Sequence, residues 1–501
     1  MVSSPNMRKL LLIFAIVILV RPVLGACHTV SPNGSGSKTG ADWNNAYAGL
    51  PSTLVRGDIY YLADGVYGNH LSITTPLSGT KTIELRKAQS YDNGSGCSPS
   101  IAAGWNTSTM GNGQAIWRST GSGTIVSMGT SGGYLIFNGN GNNAGTNEVG
   151  CGGVQANPPS SMKGAAPHPA ACGILIDNST CTSTATDGCD GGSGVMNGGG
   201  PGIIWKSVEW FGQGLNSNGN NNSETYFWFA SGSNLSGVTI SHSYIHNAST
   251  TNFTVVSGGW NNGIFDHNYS WGLFDGSVNH GEAIQLQGSN GGSGRDVISN
   301  NIFRDQQTNG DVVAVIAGSQ TYDFYNNVDF CSTGGTSTSC RHNDGVIGCF
   351  NSQTCSDVNV YDNTFSFPSN CGYNISGGPS TMNYQNNLFF NCGSVGRTGG
   401  TVTIDYNTYL NSSQSAVGTH DVSVSSGAAN PFVNLPTGNV RLTADSSNYN
   451  KRLSLGSPYD SVDLYGNPFS DDRGANQYTT SGATKVITIS GNLTFNSGTY
   501  Q

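Results

Sequence analysis

The chain has 501 residues, of which 10% are charged, against roughly a quarter in an average globular protein, while 72 are glycine. That balance excludes a helix-rich fold with a salt-bridged surface, and 36% hydrophobic residues set in short regular runs exclude disorder. The net charge of −9 leaves no basic surface for nucleic acid, so that partner is excluded as well.

The N-terminus carries Arg8-Lys9, eleven apolar residues from Leu10 to Val20, then Arg21-Pro22 and the small-residue stretch Val23 to Cys27. Charge, length and exit predict a secretory signal over residues 1–26. An apolar run this short does not span a bilayer, which takes roughly 20 helical residues, and no other segment is long and apolar enough. Leu24-Gly25-Ala26-Cys27 also resembles a bacterial lipobox, in which Cys27 would carry a lipid; Arg21-Pro22 interrupts the usual apolar lead-in, so plain secretion is expected. Twelve cysteines in a secreted chain read as disulfides, and no pair has the CxxC spacing of a zinc site.

After the signal, Asp42 to Leu50 is expected to form a short amphipathic capping helix. Arg56-Gly57-Asp58 matches a cell-adhesion tripeptide, but a turn ahead of the strand Ile59 to Leu62 explains it more simply. Further strands are expected at Thr82 to Arg86 and Tyr134 to Phe137. Residues 139–202 read as a Cys/Gly-rich insertion with one strand of its own at Gly173 to Asp177.

From Ile203 a unit recurs: IIWKSVEW, VTISHSYIH, GIFDHNYSW, DVISNNIFR, YDFYNNVDF, VNVYDNTFS, MNYQNNLFF and VTIDYNTYL. The bend residue is Ser207, Ser243, Asn268, Asn301, Asn327, Asn363, Asn387 and Asn407, at spacings of 36, 25, 33, 26, 36, 24 and 20 residues. Periods of this size mark a solenoid, and the period-two alternation before each bend makes its units strands. Asn suits the bend because it tolerates the left-handed region, and stacked on successive turns it can form an amide ladder.

The array resembles the right-handed parallel β-helix of the pectin-lyase-like superfamily, with three strands per coil and the Asn bend between the second and third. The resemblance covers roughly Val30 to Tyr478, and the segments GDIYYLADGVY, Val462 to Asn467 and Arg473-Gly474-Ala475 are similar to the opening and closing parts of secreted members. It implies an all-β domain over residues 27–480, with 481–501 as a tail or capping strand. It further implies a monomer that acts on polysaccharide. Fold alone does not license a function.

The repeat also points to a candidate site. Glu224, Glu282, Asp311 and Asp344 lie 19, 19, 16 and 19 residues before their bends, each opening the first strand of its coil. Neighbouring parallel strands are about 4.8 Å apart, so Glu282, Asp311 and Asp344 are expected to form a carboxylate column. His280 and His342 stand two residues ahead of two of these acids, and Arg341 lies beside His342. Such a column suits calcium, or the acid/base pair of a glycosidase. In the resembled superfamily polysaccharide sites commonly lie on the first sheet and its preceding turn, where this column falls. If strict alternation holds, however, Glu282 shares parity with Ile284 and Leu286 and caps backbone groups instead. No lysine lies between Lys206 and Lys451, so the repeat lacks the lysine base of some lyases of this fold, while Arg341 is placed to serve as an arginine base. The paired Asp motifs of polygalacturonases are also missing. The expectation is a secreted glycoside hydrolase or polysaccharide lyase using Glu282, Asp311 and Asp344, with His280, His342 and Arg341 assisting. The alternative is a non-catalytic carbohydrate-binding or surface β-helix protein.

Overall fold

The computed structural model describes residues 25–477 except 120–124, 129–131, 141–148, 152–171, 180–195, 198, 213–224, 230–234, 249–251, 257–259, 274–281, 288–293, 309–310, 333–339, 343–344, 350–353, 376–380, 396, 399–400, 414–417, 425, 438, 444–451 and 470–471. The expected signal thus lies almost wholly, and the tail after residue 480 entirely, outside the described residues.

Three strands make each coil. In the central one, Glu282–Gln287 lies on the first sheet, Asp296–Ser299 on the second and Ile302–Arg304 on the third; the chain then returns in Asp311–Ala317, parallel to and beside Glu282–Gln287. Among the described residues the three sheets hold 10, 13 and 12 strands, respectively, all in parallel register. Parallel strands joined by crossovers take the right hand. The molecule is a right-handed parallel β-helix.

The bend between second and third sheets uses two residues with separate tasks. The first sits in the left-handed region, as at His242 (φ 49°), His267 (53°), Asn300 (55°), Asn326 (55°) and Asn386 (59°). The second points inward and builds the ladder. Asn301 N–H and Nδ2 donate to Asn327 Oδ1, both at 3.0 Å, and Asn301 Nδ2 also donates to Phe265 O at 2.8 Å. The pattern repeats through Asn268, Asn327, Asn363, Asn387 and Asn407, and Asp421 receives the last N–H. An amide suits a middle rung because it donates and accepts at once, whereas the final rung need only accept. The first copy is corrected by one residue: Ser207 has φ 54° and takes the left-handed place, and Val208 N–H donates to Ser243 Oγ.

Inside the coil, in-register side chains stack. Phe137, Trp205, Ile240, Phe265, Ile298 and Phe324 occupy successive rungs of the second sheet and are all fully buried. On the third sheet Phe365, Phe389 and Tyr409 stack with ring centroids 5.3 and 5.0 Å apart. Burial of each such ring contributes roughly 1.5–3 kcal/mol.

A second core lies outside the coil. The outward row of the third sheet runs Tyr269, Ile302, Val328, Thr364 and Leu388 in successive rungs and is apolar at all of these but Thr364. Phe432, Leu435, Leu442 and Leu464 of the C-terminal segment cover it. That strap is pinned to the bends: Arg452 Nε and Nη2 donate to the two oxygens of Asp362 at 2.8 Å, and Asn326 Nδ2 donates to Val462 O at 2.9 Å.

Several local expectations change. The N-terminal cap is a single 3-10 turn, Trp43–Asn45, followed directly by the strand Tyr47–Ala48, so the capping helix does not extend to Leu50. Within 139–202, Ile174–Asp177 and Met196–Asn197 are rungs of the third and first sheets rather than parts of a separate excursion. Cys27 is bonded to Cys97, so its sulfur is not available to a lipid. Cys151–Cys172, Cys331–Cys340, Cys349–Cys355 and Cys371–Cys392 are also bonded, while Cys181 and Cys189 lie outside the described residues. In the Arg56-Gly57-Asp58 turn, Arg56 donates to Thr75 and Gly133 carbonyls and Asp58 accepts from Ala26 N–H, so the charged groups are used within the fold.

Candidate functional site

Ile284 pairs with Val313, which sets Glu282 opposite Asp311 two residues earlier. The two carboxylates therefore share a row at the parallel-strand spacing of about 4.8 Å. The row does not continue as expected. Asn252 precedes Glu282 with Thr225 before it, and Gly345 follows Asp311, so these rungs hold no further acid, while Glu224 and Asp344 lie outside the described residues. Gly345 has φ 138°, and a Cβ there would come within 2.7 Å of Gly372 O and 3.4 Å of Asp311 Oδ1. The next coil thus closes over Asp311 with backbone, and glycine is what that approach permits.

Glu282 and Asp311 are both 0% exposed. Their row is that of Ile284 and Leu286, which lie in the interior cluster. Tyr322, on the inner side of the second sheet, faces the same space: burial pushes its hydroxyl well above the ordinary value, and the charge of Asp311 adds to it. The inward parity weighed for Glu282 in the sequence describes this placement. Calcium takes six to eight oxygens, and two carboxylates supply at most four. Among the described residues no third His, Cys, Asp or Glu side chain joins these two at metal distance.

His342 lies in the corner between third and first sheets, where Arg341–His342 pairs with Gln307–Thr308. Its Nε2 is 2.8 Å from Asp329 Oδ2, and both side chains are 1% exposed. Asp329 occupies the rung between Phe303 and Phe365, interrupting the aromatic row. The pair thus answers an interior charge that would otherwise be costly. His280 and Asp344 lie outside the described residues, as does the side chain of Arg341. Trp260 and Trp271 are buried and cannot line a groove, and the Trp228 side chain is outside the described residues.

A different cluster reaches solvent, on the outer face of the second sheet. Asp266 ends the strand Ile264–Asp266 and His267 follows in the left-handed bend. His267 Nδ1 is 2.7 Å from Asp266 Oδ2, with the side chains 12% and 23% exposed. Ser299 Oγ and Asn300 Nδ2, from the next coil, donate to Asp266 Oδ1 at 2.7 and 2.9 Å. Burial alone would raise the Asp266 carboxyl, but the hydrogen bond and charge of His267, with those two donors, hold it below its ordinary value. The ring of His242, one coil earlier, lies parallel to that of His267 at 4.9 Å and 3°. The signal for this cluster stood in the repeat itself: VTISHSYIH and GIFDHNYSW carry histidine at the same place in successive copies. It escapes a search for acids that open strands because the histidine sits at the far end of the next strand.

No protein-family profile matches the chain, and no curated protein does. Among solved structures the chain is similar to that of pectate lyase Pel9A, with 14% identity over 90% of this chain and 96% of that one, at a TM-score of 0.36.

Proposed function

We propose that this is an extracellular β-helix protein that acts on polysaccharide, holding an extended chain along the outer face of the second sheet. One observation carries the reading. In register, Asn138, Lys206, Ser241, Asp266 and Ser299 form one polar row on the outer side of the second sheet, in which Asn138, Lys206 and Asp266 reach solvent while Ser241 and Ser299 are buried beside them. At about 4.8 Å per rung, Lys206 and Asp266 stand two rungs apart and present a donor and an acceptor along the solenoid axis, a spacing that an extended glycan bridges. The outward row of the third sheet is apolar but for Thr364 and is covered, so it offers no such face. An extracellular setting agrees with the bonded cysteines and with the secretory signal expected from the sequence.

In this reading Glu282 and Asp311 are scaffold groups, because a carboxylate with no exposed surface cannot protonate a glycosidic oxygen. That favours holding over cleavage. Cleavage, by a hydrolase or lyase, is favoured by the surface pair Asp266 and His267, which lies beside the polar row. Incubation of the purified chain with acidic and neutral plant-type glycans, with and without calcium, separates the two. Retention without product is the expected result. Absorbance from unsaturated product identifies a lyase, reducing ends alone a hydrolase, and neither retention nor product on any glycan overturns the proposal.

A further inference from the structure

We infer that Lys206 and His267 form a subsite for an acidic sugar on the outer face of the second sheet, the ammonium meeting the anionic group and the imidazole a hydroxyl further along the chain. The inference rests on the polysaccharide reading above and assigns residues and charge to it.

The bend itself does not ask for histidine. Later coils fill the same left-handed place with Asn300, Asn326, Asp362, Asn386 and Tyr406, so no single side chain is required there. What the imidazole adds is a ring nitrogen. Asp266, fixed by Ser299 and Asn300 from the next coil, keeps the proton of His267 on Nδ1. That leaves Nε2, which bonds to no group among the described residues, and His242 holds the ring plane from one side.

Lys206 is the second anomaly. On the same face Arg86 is paired with Glu84 at 2.7 Å, and Arg295 with Asp323 at 2.8 Å and Asp357 at 2.5 Å. Lys206 has no ion pair among the described residues. It pairs with Ser241, which pairs with Asp266, so ammonium and imidazole stand two rungs apart, about 10 Å along the solenoid axis. A cation without a partner, in line with an oriented imidazole, fits a chain that runs parallel to the axis and carries an acidic group on one ring and a hydroxyl on a later one.

The test compares the whole protein with Lys206→Met and His267→Asn, the second chosen because asparagine is native to that bend place. Binding is measured by calorimetry to polygalacturonate oligosaccharides and to their carboxyl-reduced, neutral counterparts. Lys206→Met is expected to bind the acidic form about tenfold more weakly and the neutral form unchanged, the loss typical of a charge-assisted contact. His267→Asn is expected to weaken both, with the circular dichroism spectrum as in the parent. If the parent binds and both variants bind the acidic form equally well, the subsite is refuted while the polysaccharide reading stands. If the parent binds neither form, both fall.

Discussion

Replacing Asn327 by alanine tests the ladder that holds the bends in register. The side chain takes part in four hydrogen bonds: Oδ1 accepts from Asn301 N–H and Nδ2 at 3.0 Å each, and Nδ2 donates to Ile298 O at 2.9 Å and Asn363 Oδ1 at 3.1 Å. Each contributes about 1 kcal/mol net, and the buried donors of Asn301 lose their acceptor, so the expected loss is about 3–5 kcal/mol. Asn326→Ala is the matched control. That neighbour contributes the left-handed bend and bonds to Val462 O at 2.9 Å and Asn300 Oδ1 at 3.3 Å, so its loss should be about 1–2 kcal/mol. Urea unfolding followed by far-ultraviolet circular dichroism reads the difference as a midpoint shift at constant slope. Hydrogen exchange at the Asn301 amide should rise in the Asn327 variant more than at amides several coils away, because a solenoid couples mainly neighbouring repeats. Equal losses for the two variants would refute the argument that the inward amides, rather than the bend conformation, carry the stability.

Other outcomes follow from the same geometry. Glu282→Gln should leave glycan retention within about twofold, since the group is buried away from the proposed face; a loss beyond tenfold at unchanged stability would return the site to the carboxylate column. Arg452→Met leaves Asp362 buried without its cation and should cost about 3–5 kcal/mol, with increased dye binding as the strap loosens from the third sheet. Burial raises the Asp362 carboxyl to about 7 against the pull of Arg452. A native value above the unfolded one gives stability that is complete below the unfolded pKa and is lost as pH rises through the native one. Without Arg452 the carboxyl can be buried neutral, so the deficit should be smaller at pH 5 than at pH 8, and a pH-independent deficit would exclude that cause. Asp266 has the opposite sign: its native value is depressed, so its contribution is present above the unfolded pKa and is lost as pH falls through the native one. The urea midpoints of the parent and Asp266→Asn should therefore converge below about pH 4; a constant gap would show that His267 does not hold the carboxylate.

The fold was legible because its determinants are local and repeated. Alternation recurs with every coil and an Asn with each bend from Asn268 to Asn407, so chance matches average out, and the stacked amides follow from one residue type at one place. The one-residue error at Ser207 arose where the ladder residue is Val208, with no amide to mark it. The carboxylate column was half legible: spacing from the bend put Glu282 beside Asp311, but counting residues cannot see that Gly345 takes the rung after Asp311. Loop length between sheets absorbs such offsets without altering either strand.

By itself the sequence determined that the chain winds as a β-helix and where the bends from Ser243 to Asn407 lie, because a strand reports its period and a bend its conformational demand within a few residues. Which way Glu282 and Asp311 point, that His342 answers Asp329, that the C-terminal strap covers the third sheet, and that Lys206, Asp266 and His267 fall on one open face were decided by the tertiary structure alone. Those facts depend on partners tens to more than a hundred residues away, and burial is a property of everything packed around a group rather than of its neighbours in the chain.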